Sequence, residues 1–143
     1  MKRTLAIVTL ATLALVTPAR QARAADDGLY KAFGEKAGLT ALIDDFVSKL
    51  VVDARTRPFF EHANLPHLKA MLVEQFCELA GGPCHYGGKD MKTAHAGMDI
   101  EKSNFNALVE ILQHAMDARH ISFADQNRML ALLAPMNRDI IKK

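Results

Sequence analysis

A chain of 143 residues is long enough for one domain built around one apolar core. Its 18 basic and 16 acidic side chains nearly balance, and the positive excess lies within the first 24 residues. The rest holds no basic tract for nucleic acid, no polybasic face for a membrane, and no zinc, phosphate-loop or Ser/His/Asp pattern.

The opening stretch is distinct from the core. Met1-Lys2-Arg3 is a short basic start, an apolar run follows over residues 5–16, and Pro18 precedes the small-x-small pattern Ala22-Arg23-Ala24. This reads as an export signal over 1–24, followed by a single domain over 25–143. The apolar run is too short for a transmembrane span, which needs about 20 residues. Removing 1–24 takes away four basic and no acidic residues, leaving a net charge of −2. The mature domain is therefore expected in the periplasm or otherwise exported, free of the membrane, as a monomer or weak homo-oligomer.

Beyond the signal, apolar residues recur with a helical period. Leu39, Leu42, Ile43, Phe46 and Leu50 form one stripe. Leu65, Leu68, Leu72, Phe76 and Leu79 form a second, ended by Gly81-Gly82. Phe105, Leu108, Leu112 and Ala115 form a third. Leu130, Leu133, Met136 and Ile140 form a fourth, in which Pro135 is a kink or break. Alternation with a period of two is absent. The spacing predicts an all-α domain of four main helices with short additional ones. From about 81 to 99 the pattern lapses into a glycine-rich irregular stretch, and such a stretch inside a small domain is usually functional. Cys77 and Cys84 flank the helix-breaking Gly81-Gly82-Pro83. In an oxidising compartment a chain that turns back there brings the two sulfurs together, with two free thiols as the alternative.

His95 is the first candidate for chemistry. It lies in Met91-Lys92-Thr93-Ala94-His95-Ala96-Gly97, among small residues that allow a flat group to approach the backbone. Neutral imidazole is a good ligand for haem iron. By itself a lone histidine is equally a loop residue. Cys84-His85 matches only the end of the Cys-x-x-Cys-His attachment pattern, so covalent haem is not expected. His62, His114 and His120 have no partners at metal-binding spacing, and His67 is expected to be exposed.

The ordered pieces resemble the group I truncated haemoglobins from residue 29 to about 140. Leu29-Tyr30 with Phe33-Gly34 is similar to that family's start, and Asp44-Asp45-Phe46 to its B helix. Pro58-Phe59-Phe60 and Leu68-Lys69 resemble the approach to its E helix and that helix's first turns. Gly81-Gly82-Pro83, Tyr86 and Gly88 resemble its Gly-Gly and Tyr-x-Gly elements. Met91-Lys92 with His95 and Gly97 resembles its proximal segment, and Phe105 its G helix.

The resemblance implies helices stacked two over two around haem b, with His95 the proximal iron ligand. It places Phe46, Val47, Phe60, Leu68, Met71 and Leu72 around the haem. Tyr86 and Lys92 are implied at the propionates, with a turn residue and a solvated cation as the alternatives. Oxygen-holding members usually carry Tyr where this chain has Val47, and often Gln where it has Leu68 or Leu72. The ligand side is thus expected to be apolar, releasing oxygen quickly and relatively favouring NO and CO. Met71 matches a position from which some members ligate iron, and is read either as apolar filling or as a thioether ligand. Phe76 matches a tunnel-gating position, and is read first as ordinary core. The implied function is reversible binding of a diatomic gas. The alternatives are conversion of NO to nitrate with an external reductase, and electron transfer through a His95/Met71 haem.

Overall fold

Seven α-helices, two 3-10 turns and no strand make up the described residues, 27–142, of this computed structural model. The expected export signal over 1–24 lies outside them. The helices are α1 (Gly28–Ala32), α2 (Glu35–Leu50), α3 (Leu65–Leu79), α4 (Met91–Ala94), α5 (Lys102–Asp117), α6 (Phe123–Leu133) and α7 (Asn137–Ile140).

The four apolar stripes became α2, α3, α5 and the pair α6–α7. Pro135 lies in a 3-10 turn, Ala134–Met136, which divides the fourth stripe in two. The irregular stretch contains one element that periodicity does not reveal. It is α4, a single turn too short to show a full apolar repeat.

Local chemistry sets the helix starts. Asn64 Oδ1 accepts from His67 N at 3.1 Å to begin α3, and Ser122 Oγ accepts from Asp125 N at 3.2 Å to begin α6. Asn104 Oδ1 accepts from Glu101 N at 3.0 Å at the start of α5. Between α1 and α2, Gly34 takes φ +76°, and a Cβ on Gly38 would lie 2.0 Å from the Phe33 carbonyl oxygen. Only glycines permit so tight a corner.

α2 is the spine of the core. It buries Leu39, Leu42, Ile43, Phe46, Val47 and Leu50 and packs against both α3 and α5. Each such burial contributes roughly 1.5–3 kcal/mol relative to exposure. α3 adds Val73, Phe76 and Cys77, and α5 adds Ala107, Ile111, Leu112, Ala115 and Met116. α1 closes one end, packed on α2 and α6, with Tyr30 N donating to Ala80 O at 3.1 Å.

The end of α3 is fastened by a disulfide between Cys77 and Cys84. Cys77 is fully buried, and the Tyr30 ring and Cys77 Sγ crowd Gly82. From this clasp the chain runs to α4, which packs on α7. Lys142 N donates to Ile100 O at 2.8 Å, and Lys142 Nζ pairs with Asp99 at 2.8 Å. These bonds hold the chain's last described turn over the segment that follows α4.

Candidate functional site

α4 exists because Asp90 caps it on two atoms. Its Oδ1 accepts from Thr93 N at 2.9 Å, and its Oδ2 accepts from Thr93 Oγ1 at 2.7 Å. The short turn delivers His95 at its C-cap, with the ring nitrogen Nδ1 2.8 Å from the Met91 carbonyl oxygen. A carbonyl oxygen can only accept, so Nδ1 carries the proton in this bond. A neutral ring bonded in this way has its lone pair on Nε2. Metal-binding histidines are commonly held in this way, with the second ring nitrogen tied to a backbone carbonyl.

His95 lines two adjoining cavities. The larger, about 370 Å³, is walled by Leu72 and Phe76 of α3, Leu108 and Leu112 of α5, Leu130 and Leu133 of α6, and Met136. The smaller, about 90 Å³, is walled by Phe59, Phe60, Met98 and Ile100 among others. His95, Phe105, Leu108 and Ile140 border both. The walls are apolar apart from a few groups. Asn106 is exposed at the edge of the larger cavity, while Gln75 is 7% exposed in its wall. Gln75 Nε2 points at two sulfurs, Met91 Sδ and Met136 Sδ, each at 3.7 Å.

The family model for bacterial-like globins matches residues 28–142. The chain belongs to the bacterial-like globins, among the group 1 truncated haemoglobins. It is 32% identical over 98 residues to the group 1 truncated hemoglobin of Tetrahymena thermophila, covering 68% of this chain and 79% of that one. It is 27% identical over 115 residues to that of Tetrahymena pyriformis, covering 80% and 95%. The solved Fe(III) form of the latter matches with a TM-score of 0.77 over 80% of this chain and 98% of that one. The 2/2 hemoglobin of Synechococcus matches in fold, with a TM-score of 0.75 at 19% identity. The all-helical architecture is thus the 2/2 globin fold.

In this globin the residues singled out from the sequence fall into three groups. His95, Leu72 and Phe76 meet at the larger cavity, and Phe60 joins His95 at the smaller. Phe46 and Val47 stand apart from both walls. They are 3% and 1% exposed, inside the core where α2 meets α3 and α5. Leu68 and Met71 are half-buried on α3 and border neither cavity. Leu72, Gln75 and Phe76 share one helix face at i, i+3 and i+4, while Met71 is rotated about 100° from Leu72 and lies one turn before Gln75 at the edge of that face. Leu68 precedes Leu72 by one turn on that same face. His67 is exposed, as expected.

The third group is Tyr86 and Lys92, which border neither cavity. Tyr86 donates its hydroxyl to Lys89 O at 2.7 Å, so its proton is used within its own loop. Burial, and then the charge of Asp90, push the Tyr86 phenol above its ordinary value. Its ring lies so close to Gly88 that a Cβ there would be 2.4 Å from the hydroxyl oxygen. Lys92 is exposed on α4 as a solvated cation.

The sequence reading missed Gln75, Met91 and Met136 as cavity residues. A signal existed for each of them. Gln75 falls between Leu72 and Phe76 in the apolar stripe, and Met91 is one turn before His95. Met136 belongs to the fourth stripe, and all four of its residues, Leu130, Leu133, Met136 and Ile140, line the larger cavity.

An ion pair network supports the smaller cavity. Arg55 bonds to Asp53 at 2.7 Å and to Glu110 of α5 at 3.0 Å. Its backbone oxygen accepts from Asn104 Nδ2 at 3.0 Å. The Arg55 hydrogen bonds hold the Asp53 carboxyl down at about 2 and lower Glu110 as well. Thr56, buried in the same wall, donates to Leu50 O at 2.7 Å.

Proposed function

We propose that this globin holds one b-type haem against His95 and binds diatomic gases on it. The observation that carries this is the placement of His95. Its Nδ1 lies 2.8 Å from Met91 O, and its side chain lines an apolar cavity of about 370 Å³. That volume falls within the roughly 300–1,000 Å³ typical of ligand and cofactor sites. One neutral imidazole among aliphatic and aromatic walls suits a flat apolar macrocycle with a metal at its centre.

When bound, the haem iron supplies the centre at which a small gas is reversibly held. The chain's residues do the rest. His95 presents Nε2, with the ring oriented by Met91. Leu72, Phe76, Leu108 and Leu112 exclude water from the cavity and would hold the macrocycle by apolar contact. Phe60, Met98 and Ile100 add apolar wall in the adjoining cavity that His95 also lines. Cys77 and Cys84 are joined to each other, so neither sulfur is available for covalent attachment, which supports a b-type haem. The same bond supports a site of action outside the reducing cytosol.

The test is the absorption spectrum of the purified protein, ferric, ferrous and ferrous with CO, for wild type and His95→Ala. The expected wild-type spectrum is that of a histidine-ligated haem, extractable into acidified organic solvent. In His95→Ala the imidazole signature disappears. A wild-type protein that takes up no haem, or a variant with an unchanged spectrum, refutes the reading.

A further inference from the structure

The disulfide stands between the cavity wall and the histidine. Cys77 follows Phe76, which walls the larger cavity from α3, and Cys84 begins the stretch that runs to Asp90 and α4. On the α3 side the backbone is well tied. Tyr30 N donates to Ala80 O at 3.1 Å, Gly81 N to Glu78 O at 3.1 Å and Gly82 N to Cys77 O at 2.8 Å. Beyond Gly82 such ties stop. Among the described residues, the stretch 83–89 makes one hydrogen bond to the rest of the fold, between His85 Nδ1 and Glu78 Oε1 at 3.0 Å. Both side chains are exposed, and exposed pairs of this kind contribute little. The Tyr86 hydroxyl donates within the stretch, to Lys89 O. The covalent bond is therefore the main tie between α3 and the approach to α4. Its two sulfurs are unequal. Cys77 is fully buried and Cys84 half-buried, so a reagent from solvent meets the pair at Cys84.

We propose that Cys77–Cys84 is a thiol–disulfide exchange site, attacked at Cys84, whose state sets how tightly the His95 cavity retains haem. The second half rests on the haem reading above. The co-reactant is a dithiol. One of its thiols, deprotonated in solvent, attacks Cys84 Sγ, and the Cys77–Cys84 bond breaks as the mixed disulfide forms. The electron pair leaves on Cys77 Sγ, which takes a proton because burial disfavours the thiolate. The second thiol then attacks the first one's sulfur and releases Cys84. The dithiol leaves as a disulfide, and its two electrons stay on the cysteine pair. The bonds at Ala80, Gly81 and Gly82 keep the end of α3 in place, so what loosens lies from Pro83 onward. That stretch leads into the turn that carries His95. In an oxidising compartment the closed form is the resting one.

The experiment uses the haem-loaded protein without denaturant. Reduced glutathione is applied briefly, the reaction is quenched in acid, and peptide masses locate the mixed disulfide. It is expected on Cys84 and not on Cys77. Transfer of ferric haem to excess apomyoglobin is then timed for three samples. These are closed wild type, wild type opened with dithiothreitol and held open by iodoacetamide, and Cys84→Ser. Far-UV circular dichroism follows the helices in each. Haem is expected to leave both opened forms about five- to tenfold faster, toward the low end of coupling between linked sites. A disulfide that exchanges only after denaturation overturns the exchange site. Equal transfer from open and closed protein, or loss of the helical spectrum on opening, overturns the local hold on haem and leaves the haem reading intact. A wild-type protein that takes up no haem overturns both.

Discussion

At Gly82 a methyl group has nowhere to go. A Cβ there would lie 2.6 Å from the Tyr30 ring and 2.7 Å from Cys77 Sγ. Those atoms are wedged between α1 and the disulfide, so neither side yields easily. Gly82→Ala should destabilise the fold by about 1–3 kcal/mol, in the range of overpacked cores. Gly87→Ala meets nothing within 4 Å and should stay within about 0.5 kcal/mol of wild type. Urea unfolding of the two variants side by side checks the contrast. A penalty common to both would mean that backbone freedom, not crowding, is responsible. At this scale the neighbours of His95 pointed to it as a candidate, and its side chain lies in the wall of an apolar cavity. The bond from its ring to Met91 O was not legible, since it depends on where that carbonyl points.

Between elements, two fastenings decide how the site is held. The Arg55 network joins the turn after α2 to α5. Asp53 ordinarily titrates near 3.8, and here at about 2. A lowered folded value means that its stabilisation is fully present above the ordinary value and is lost as pH falls through the folded one. Arg55→Ala should therefore lower the urea midpoint at pH 7. The gap from wild type should narrow between about pH 4 and about pH 2. These groups are exposed, so the difference should also shrink in high salt. A gap that persists unchanged at pH 2 would place the effect in packing. The second fastening is the disulfide. Opening it frees the stretch leading to α4, and for so short a loop the chain-entropy cost is about 2–3 kcal/mol. Reduced protein should lose about that much stability and exchange amide hydrogens faster across residues 83–94. Equal exchange in both states would mean that α7, and not the disulfide, holds α4.

For the whole molecule, α3, α5 and α6 wall a cavity of about 370 Å³ within the 116 described residues. Whatever binds only the folded state stabilises it in proportion to its affinity. At a free concentration one hundred times the dissociation constant, the gain is about 2.7 kcal/mol. For a domain near this size, that corresponds to a rise of roughly 10 °C or more in melting temperature. Haem added to the apoprotein should produce such a rise in wild type and a smaller one in His95→Ala. Differential scanning calorimetry of the four samples checks it. Equal rises would show that apolar burial alone holds the haem and that the imidazole adds nothing.

The helices α2, α3, α5 and α6 were determined by residue spacing alone, because a 3.6-residue apolar period and its capping residues act within a few turns of chain. The order of motifs was enough for the family. Which side chains face the same space was decided only by tertiary structure. Val47 and Phe46 look like pocket residues in one dimension, yet α2 turns them into the core against α3 and α5. Tyr86 looks like a free donor until its loop folds back on Lys89. Gln75, Met91 and Met136 become neighbours only when α3, α4 and the turn after α6 close around one cavity. Periodicity specifies a helix's apolar face, but the rotation and crossing of packed helices determine what that face meets.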